Sequence, residues 1–259
     1  MSSLSEAPLA GRAAIVTGAA RNIGAAIAER LAADGAAVVV NHRSGDSRDD
    51  AETVVRRISA AGGRAIAVEA DVGDERAVAA MVATAREALG EVELLVNNAA
   101  ASVTADRPWD ELTVAEWDHV LRANATAGFI LARALLPCLA DHGGSIVNVS
   151  SIRVRTGKPG NLHYTASKAA QIGFTRALAR ELGSLGVRVN ALLVGAIHTP
   201  DEVRYGAQEE IDARVLGLQA LQRRGMPADV AGVVSFLCGD DAGFITGQSL
   251  IVDGGWVLQ

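Results

Sequence analysis

The sequence is poor in cysteine and in aromatic residues. Its two cysteines, Cys138 and Cys238, lie far apart in 259 residues and belong to no CxxC or His-rich motif. This argues against a disulfide framework, a zinc site or a dithiol redox centre, and it fits a cytoplasmic protein. Aromatic residues make up 3% of the chain and hydrophobic residues 49%, so Ala, Val, Leu and Ile must build the core. Such a core favours buried strands covered by Ala-rich helices.

The chain also lacks an excess of positive charge. Its formal net charge is -6, which argues against a nucleic-acid surface and favours a small-molecule partner. Residues 1–11 show no basic start followed by an apolar stretch, so they do not resemble a signal peptide. No apolar run approaches the roughly 18 residues of a membrane span, and we expect no membrane partner. The five histidines have no metal-ligand spacing, and we expect no metal site.

Short β-branched runs alternate with longer amphipathic stretches along the whole chain. The predicted strands are Ala14–Thr17, Ala37–Val40, Ala65–Glu69, Leu94–Asn97, Ser145–Val149, Val187–Ala191 and Ser249–Val252. The predicted helices are Ile23–Ala33, Ser47–Ala60, Glu75–Leu89, Thr113–Leu139, Tyr164–Leu182 and Ala228–Leu237. Alternation of this kind predicts one α/β domain over residues 1–259, with a doubly wound, parallel, seven-stranded, Rossmann-like sheet and helices on both faces. The long irregular region 195–224 is interpreted as a substrate-binding lid within it.

The first predicted strand leads into a turn that suits a phosphate group. The residues from Thr17 to Gly24 read TGAARNIG and are followed by a helix. Glycines let the backbone turn tightly and approach a pyrophosphate, whose charge the helix N-terminus stabilises. Asn22 stands where such turns usually have glycine, and asparagine tolerates the left-handed conformation better than most residues. Two glycines alone are also compatible with an ordinary strand-to-helix turn.

A second group of residues suits proton transfer. Tyr164 and Lys168 are four residues apart at the start of a predicted helix, so their side chains share one face. A nearby ammonium stabilises a phenolate, and Lys168 is therefore expected to bring the pKa of Tyr164 closer to working pH. Ser151 follows a predicted strand, where its hydroxyl is able to hydrogen-bond a substrate carbonyl. Asn124 lies within the preceding helix.

With these motifs in order, the sequence resembles the short-chain dehydrogenase/reductase family from about Leu9 to the C-terminus. The matching blocks are Thr17–Gly24, Asp71-Val72, Asn97–Ala100, Asn124, Ser150-Ser151, Tyr164 with Lys168, Asn190–Thr199 and Gly247–Gly255. The chain departs from the family pattern at three positions: Asn22 and Ala100 replace glycines, and Val194 replaces a proline.

The resemblance implies roles for individual residues. Tyr164 would be the general acid in carbonyl reduction, and Ser151 would position the carbonyl oxygen. Lys168 would hold the ribose and tune Tyr164, and Asn124 would hold a water that links Lys168 to solvent. The cofactor would contact, besides Tyr164 and Lys168, residues of the first turn and of later loops: Gly18, Arg21, Asn22, Ile23, Gly24, Asp71, Val72, Asn98, Ala99, Ile197 and Thr199.

The residues after the second strand bear on the choice of cofactor. An NAD site usually has an acidic residue there, whereas the 2′-phosphate of NADP calls for a cation. Here Asn41 is followed by His42, Arg43 and Ser44, and Arg21 is available from the first turn. We therefore expect NADP(H), with NAD(H) as the alternative if Asp46 reaches the ribose.

Two functional hypotheses follow from the sequence. The first is an NADP(H)-dependent oxidoreductase that interconverts a ketone or 3-oxoacyl-type carbonyl and a secondary alcohol. The second is a non-catalytic dinucleotide-binding sensor, which would not need the complete set of Asn124, Ser151, Tyr164 and Lys168. Family habit also implies a homotetramer. The three cations Arg153, Arg155 and Lys158 either border the substrate pocket, where Arg153 could pair with an anionic group, or lie on a solvated loop.

Overall fold

Seven apolar segments form one sheet in the computed structural model, which describes residues 7–101 and 107–258. The strands are β1 (Ala13–Val16), β2 (Ala37–His42), β3 (Arg64–Glu69), β4 (Val92–Asn97), β5 (Gly144–Ser151), β6 (Val187–Val194) and β7 (Ser249–Val252). Their order is β3-β2-β1-β4-β5-β6-β7, and every neighbouring pair is parallel. The predicted parallel seven-stranded sheet is confirmed.

The winding direction reverses between β1 and β4. From β1 the chain moves outward to β2 and β3, then returns to place β4 on the other side of β1. The loops that follow these two strands therefore part in opposite directions and leave a crevice at the carboxyl edge of the sheet. Thr17 follows β1 at this edge, and Asn97 ends β4 there.

Helices cover both faces of the sheet. They are α1 (Asn22–Ala33), α2 (Arg48–Ala60), α3 (Glu75–Leu89), α4 (Val114–Leu121), α5 (Ala127–His142), α6 (Arg153–Thr156), α7 (Leu162–Leu182), α8 (Gln208–Leu216) and α9 (Pro227–Cys238). Side chains of α1, α2 and α9 share one core cluster, whereas those of α3, α5 and α7 share another. The central strands β1, β2 and β4 are buried on both faces, and their residues are therefore mostly apolar, whereas the edge strands β3 and β7 are only partly buried.

The helix predicted over Thr113–Leu139 contains a wide turn. A π-helical turn, Arg122–Thr126, separates α4 from α5. The predicted helical segment is present, but its sequence does not reveal the π turn, because one added residue in a turn leaves the apolar pattern on either side intact. Such turns are frequent at functional sites, and this one carries Asn124.

Within the described residues, one helical stretch, Val114–His142, is long and apolar enough by length and composition to cross a membrane. Its side chains Leu131, Leu135 and Leu139 are, however, fully buried in the same core cluster as Leu95 and Ile146 of the sheet. Burial of this kind is typical of a core helix in a globular protein, the role that the sequence suggested for its last part.

Region 195–224 is more regular than its sequence indicated. It contains a 3₁₀ helix, Pro200–Tyr205, and the helix α8. Charged residues occupy three of the six positions in the first and four of the nine in the second, so the apolar periodicity that reveals a helix is weak. A backbone bridge between Ile197 and Gly225 closes the base of the region.

Candidate active site

Contacts from β2 and β4 fix the turn after β1. Gly18 has a φ of +60°, and a Cβ there would meet the Cα of Ala99 at 2.9 Å. The Gly18 N–H donates to Asn41 Oδ1 at 3.2 Å, while Asn98 Nδ2 donates to the carbonyls of Thr17 and Gly18 at 2.9 and 3.1 Å. The side chains of Asn41 and Asn98 therefore hold the glycine turn in place from both sides.

The N-terminus of α1 fits a pyrophosphate. No side chain caps this helix at Arg21, and its first turn has no acidic residue. The N–H groups of this turn and the positive end of the helix dipole are therefore available to an anion. A Cβ at Gly24 would meet the Gly18 carbonyl oxygen at 2.3 Å, so the helix approaches the turn as closely as glycine permits. The residues present thus suit the dinucleotide that the sequence implied.

The end of β2 presents a cation rather than a carboxylate. Asn41 is buried and donates to backbone carbonyls of His42, Val68 and Ala70, so its amide is occupied within the protein. His42 is also buried, and its Nδ1 lies 3.0 Å from the carbonyl oxygen of Ser44. Arg43 is exposed at this edge.

The remaining predicted cofactor residues lie on loops that follow the carboxyl ends of the strands. After β3, Val72 is buried, and Asp71 Oδ1 accepts a hydrogen bond of 2.8 Å from the N–H of Gly73. After β6, Ile197 is buried, and Thr199 is half-buried at the start of the Pro200–Tyr205 helix. All these positions border the crevice edge of the sheet.

The predicted catalytic side chains are brought together between β5 and α7. Ser151, the last residue of β5, is 9% exposed, and its hydroxyl is close enough to the phenol of Tyr164 to lower the pKa of that phenol. Lys168 is 2% exposed, and its Nζ lies 5.6 Å from the centre of the Tyr164 ring. The same Nζ donates to the carbonyl of Val149 at 2.7 Å. A phenol, a hydroxyl and an ammonium thus converge in a site that excludes most water.

Burial perturbs both titrating groups of this cluster. Burial raises the pKa of Tyr164 above its ordinary value, while the nearby Ser151 hydroxyl and the charge of Arg153 lower it. The expectation that Lys168 brings this pKa closer to working pH is therefore wrong here, because the effect of burial is larger. Burial lowers the pKa of Lys168 to about 8. At neutral pH the phenol therefore carries its proton and most of the lysine is charged. A buried neutral phenol beside a cation is suited to donating a proton.

Asn124 is held by contacts on all of its polar groups. Its Oδ1 accepts from the N–H of Ala101 at 2.8 Å, and its Nδ2 donates to Ser167 Oγ at 2.9 Å. Its backbone carbonyl accepts from Gln171 Nε2 at 2.7 Å. Ser167 Oγ in turn donates to the carbonyl of Tyr164 at 2.7 Å, which links the π turn to the catalytic helix.

Sequence reasoning missed Gln171, which follows Lys168 by three residues on the same helix. The residue is buried, and its Oε1 has no hydrogen-bond partner. Gln171, Asn124 and Asn97 line one small cavity, and Oδ1 of Asn97 is likewise without a hydrogen-bond partner. The sequence did offer a signal: Gln171 is a polar residue one helical turn from the catalytic candidate Lys168, on a helix face that must be buried.

The three cations after Ser151 lie on and beyond the short helix α6. The Arg153 guanidinium donates to the carbonyls of Pro159 and Gly160 at 3.0 and 3.1 Å. Arg155 and Lys158 are exposed. Arg153 therefore stabilises the loop that follows α6, and its charge is also close enough to lower the pKa of Tyr164. Among the described residues, no group of three or more His, Cys, Asp or Glu side chains is arranged to hold a metal ion.

Comparison with known proteins agrees with this geometry. Residues 18–257 match the family model described as enoyl-(acyl carrier protein) reductase. A 3-oxoacyl-[acyl-carrier-protein] reductase of Synechocystis sp. is 39% identical over 252 residues, which cover 96% of this chain and 98% of the relative. The chain belongs to the short-chain dehydrogenase/reductase family.

Solved structures of related proteins share the fold over the whole chain. A blue fluorescent protein from a metagenomic library, in complex with NADPH, has a TM-score of 0.87 and 38% identity, covering 97% of this chain and all of its own. A 7α-hydroxysteroid dehydrogenase complexed with NADH and a 7-oxo bile acid has a TM-score of 0.90 and 32% identity, covering 100% of this chain and 99% of its own. The short-chain dehydrogenase/reductase fold expected from the sequence is confirmed, as is an oxidoreductase enzyme that acts on carbonyl groups.

Proposed function

We propose that this short-chain dehydrogenase/reductase reduces a ketone or a 3-oxoacyl-type carbonyl to a secondary alcohol with NADPH. The observation that carries the proposal is the cluster of buried Ser151, buried Lys168 and half-buried Tyr164 at the end of β5, together with the uncapped N-terminus of α1. A non-catalytic sensor has no use for a desolvated proton donor in this position.

The four side chains divide the tasks of the proposed reaction among them. When bound, the nicotinamide supplies the hydride to the carbonyl carbon. The Ser151 hydroxyl donates a hydrogen bond to the carbonyl oxygen, and the Tyr164 phenol gives that oxygen a proton. The Lys168 ammonium holds the nicotinamide ribose and stabilises the phenolate that remains. Asn124, fixed in the π turn, holds the water through which the site regains its proton.

The protonation state of Tyr164 favours reduction. Because burial raises the pKa of this phenol, the neutral form persists through physiological pH and is ready to donate. Oxidation of an alcohol requires the phenolate and is therefore favoured at higher pH.

The cofactor site consists of the first turn, the end of β2 and the crevice loops. The N–H groups at the start of α1 would bind the pyrophosphate, and Asp71 and Val72 would flank the adenine. Ile197 and Thr199 would bind the carboxamide. These two residues belong to region 195–224, which would cover the substrate as a lid.

Preference for NADPH rests on the charge at the end of β2. Arg43 is exposed there, where a 2′-phosphate would lie, and the amide of Asn41 is occupied by backbone carbonyls. The related NADPH complex supports this choice. The alternative cofactor is NAD(H), which the related steroid dehydrogenase binds as NADH. Asp46, exposed in the Gly45–Ser47 helix, is the carboxylate that would then bind the ribose.

A substitution at Arg43 tests the preference. Arg43→Ala is expected to lower kcat/KM for NADPH about ten-fold or more and to leave that for NADH nearly unchanged, because a charge-assisted bond to phosphate is lost. Arg48→Ala is the matched control, since that exposed arginine pairs with Glu69 at 3.2 Å. A wild-type preference for NADH would contradict the assignment.

The reaction itself is tested with a substrate panel. NADPH consumption is followed by absorbance with a 3-oxoacyl thioester, a 7-oxo steroid, simple ketones and an enoyl thioester. We expect turnover with carbonyl substrates, and the relative named as a 3-oxoacyl reductase makes the thioester the first choice. Turnover of the enoyl thioester alone would instead favour the activity in the family model's description.

We also propose that the enzyme is a cytoplasmic homotetramer. Both cysteines are unpaired and buried, which fits a reducing compartment. The helix α5 exposes Phe129 and Leu136, and the C-terminal Leu258 is exposed, so these apolar side chains are available to neighbouring subunits. Light scattering at micromolar concentration tests the assembly, and a monomer there would rule it out.

A further inference from the structure

Asn22 adopts a strained backbone conformation. Its φ is +53°, and Asn161 is the only other non-glycine residue with positive φ in the part of the chain that the structure describes. Glycine would adopt this conformation without strain, whereas asparagine adopts it at some cost. A non-glycine residue at this position is therefore expected to contribute something through its side chain.

The side chain of Asn22 crosses the crevice. Its Nδ2 donates to Asp201 Oδ2 at 2.7 Å, which joins the first residue of α1 to the helix Pro200–Tyr205. The two residues are 179 positions apart in sequence. This hydrogen bond connects the turn that would hold the pyrophosphate with the segment that carries Thr199.

Asp201 is held on its own side of the crevice. Arg204 Nη2 lies 3.5 Å from Asp201 Oδ2, and its Nε donates to the Asp201 backbone carbonyl at 3.0 Å. The next residue, Glu202, pairs with Arg224 at 2.7 Å, and the side chains of this pair are only 12% and 9% exposed. The bridge between Ile197 and Gly225 adds a backbone anchor. Asp201 thus belongs to a unit, the segment 197–205, that is held by ion pairs and a backbone bridge.

We propose that the Asn22–Asp201 hydrogen bond is a clasp that closes this unit over the bound dinucleotide. Asp201 is then a positioning residue, and the bond must open each time the cofactor enters or leaves. The inference rests on the cofactor site of the proposed function. Its consequence is a longer residence time for the cofactor, without any contact from Asp201 to the reacting atoms.

The clasp is tested through the rate of NADPH release. Stopped-flow fluorescence measures the dissociation rate constant for wild type, Asn22→Gly, Asp201→Ala and the double variant. Asn22→Gly suits the positive φ and removes only the side chain, so the turn itself is preserved. Each single variant is expected to release NADPH up to about ten-fold faster, the effect of losing one charge-assisted hydrogen bond. The double variant is expected to be no faster than the faster single variant.

Two further variants separate a clasp from a general structural role. Asp201→Asn retains an acceptor and is expected to restore most of the slow release. Glu209→Ala removes an exposed carboxylate at the start of α8 and is expected to leave the rate unchanged. A clasp also predicts a changed KM for NADPH with unchanged thermal stability.

The outcomes that overturn the clasp are well separated. Unchanged release in the single variants, or effects that add in the double variant, would show that the two side chains do not act together. Slower release would show that the pair competes with the cofactor. The measurement needs no turnover, so a protein that binds NADPH but reduces no carbonyl would refute the proposed function and leave the clasp testable.

Discussion

Two glycine-to-alanine substitutions in helices are expected to have opposite effects. Gly24 lies in the first turn of α1, where a Cβ would meet the Gly18 carbonyl oxygen at 2.3 Å and Asn98 Nδ2 at 2.6 Å. Gly232 lies within α9, where a Cβ would meet only Arg30 Nη1, at 3.7 Å. Alanine is a better helix former than glycine at both sites. A loss of stability in Gly24→Ala therefore measures the steric conflict at that position.

The magnitudes follow from these contacts. Gly232→Ala is expected to stabilise the fold by about 0.5–1 kcal/mol, since the added methyl group makes an ordinary contact. Gly24→Ala must move α1 away from a turn held by Asn98, and overpacking of this kind costs about 1–3 kcal/mol. For a chain of this size each kcal/mol shifts Tm by roughly 2–4 °C. The same displacement removes N–H groups from the pyrophosphate, so the Kd for NADPH should rise at least ten-fold.

Thermal unfolding and a fluorescence titration with NADPH measure both effects. Gly232→Ala should show a raised Tm and unchanged cofactor affinity. If Gly24→Ala were as stable as wild type and bound NADPH normally, the close contact between α1 and the turn after β1 would not be required for stability or for cofactor binding.

Three other substitutions or conditions probe the catalytic cluster. The kcat/KM for reduction should fall as pH rises through about 8, because Lys168, whose pKa burial lowers to about 8, then loses its charge; a profile flat well above that pH would argue against it. Arg153→Ala should raise the pKa of Tyr164 and move the rise of alcohol oxidation with pH to higher pH, whereas Arg153→Lys should not; an unmoved rise would exclude this influence. Gln171→Leu should lower kcat several-fold at unchanged Kd for NADPH, because the Asn124 carbonyl loses its donor; unchanged kcat would show that this contact is dispensable.

The sheet could be predicted because its central strands are buried on both faces. Near-continuous apolar runs such as Val38–Val40 and Leu94–Val96 leave little choice except a parallel sheet covered by helices. The face shared by Tyr164 and Lys168 could also be predicted, since positions four apart always meet on a helix. The role of Ser151 could be predicted because this residue lies just beyond the predicted strand Ser145–Val149.

Other features depend on contacts that have no local signature. The π turn at Arg122–Thr126 leaves the helical pattern around it unchanged, so it was read as regular helix. The helix α8 is too highly charged to show an apolar face. The partner of Asn22 lies on a distant segment, and only the folded chain shows why an asparagine replaces glycine there. The cations after Ser151 illustrate the same limit, because the carbonyls that bind Arg153 become neighbours only when the loop folds back.

The phenol of Tyr164 provides the most direct test of the proposed reaction. Tyr164→Phe keeps the ring and removes the proton, so kcat/KM for carbonyl reduction should fall by a factor of about 10²–10⁴, the usual contribution of a general acid. The Kd for NADPH, measured by fluorescence on the same preparation, should stay within about two-fold of wild type, because the ring still packs beside Lys168. Activity within ten-fold of wild type would contradict the assignment of Tyr164 as the proton donor and, with it, the central claim.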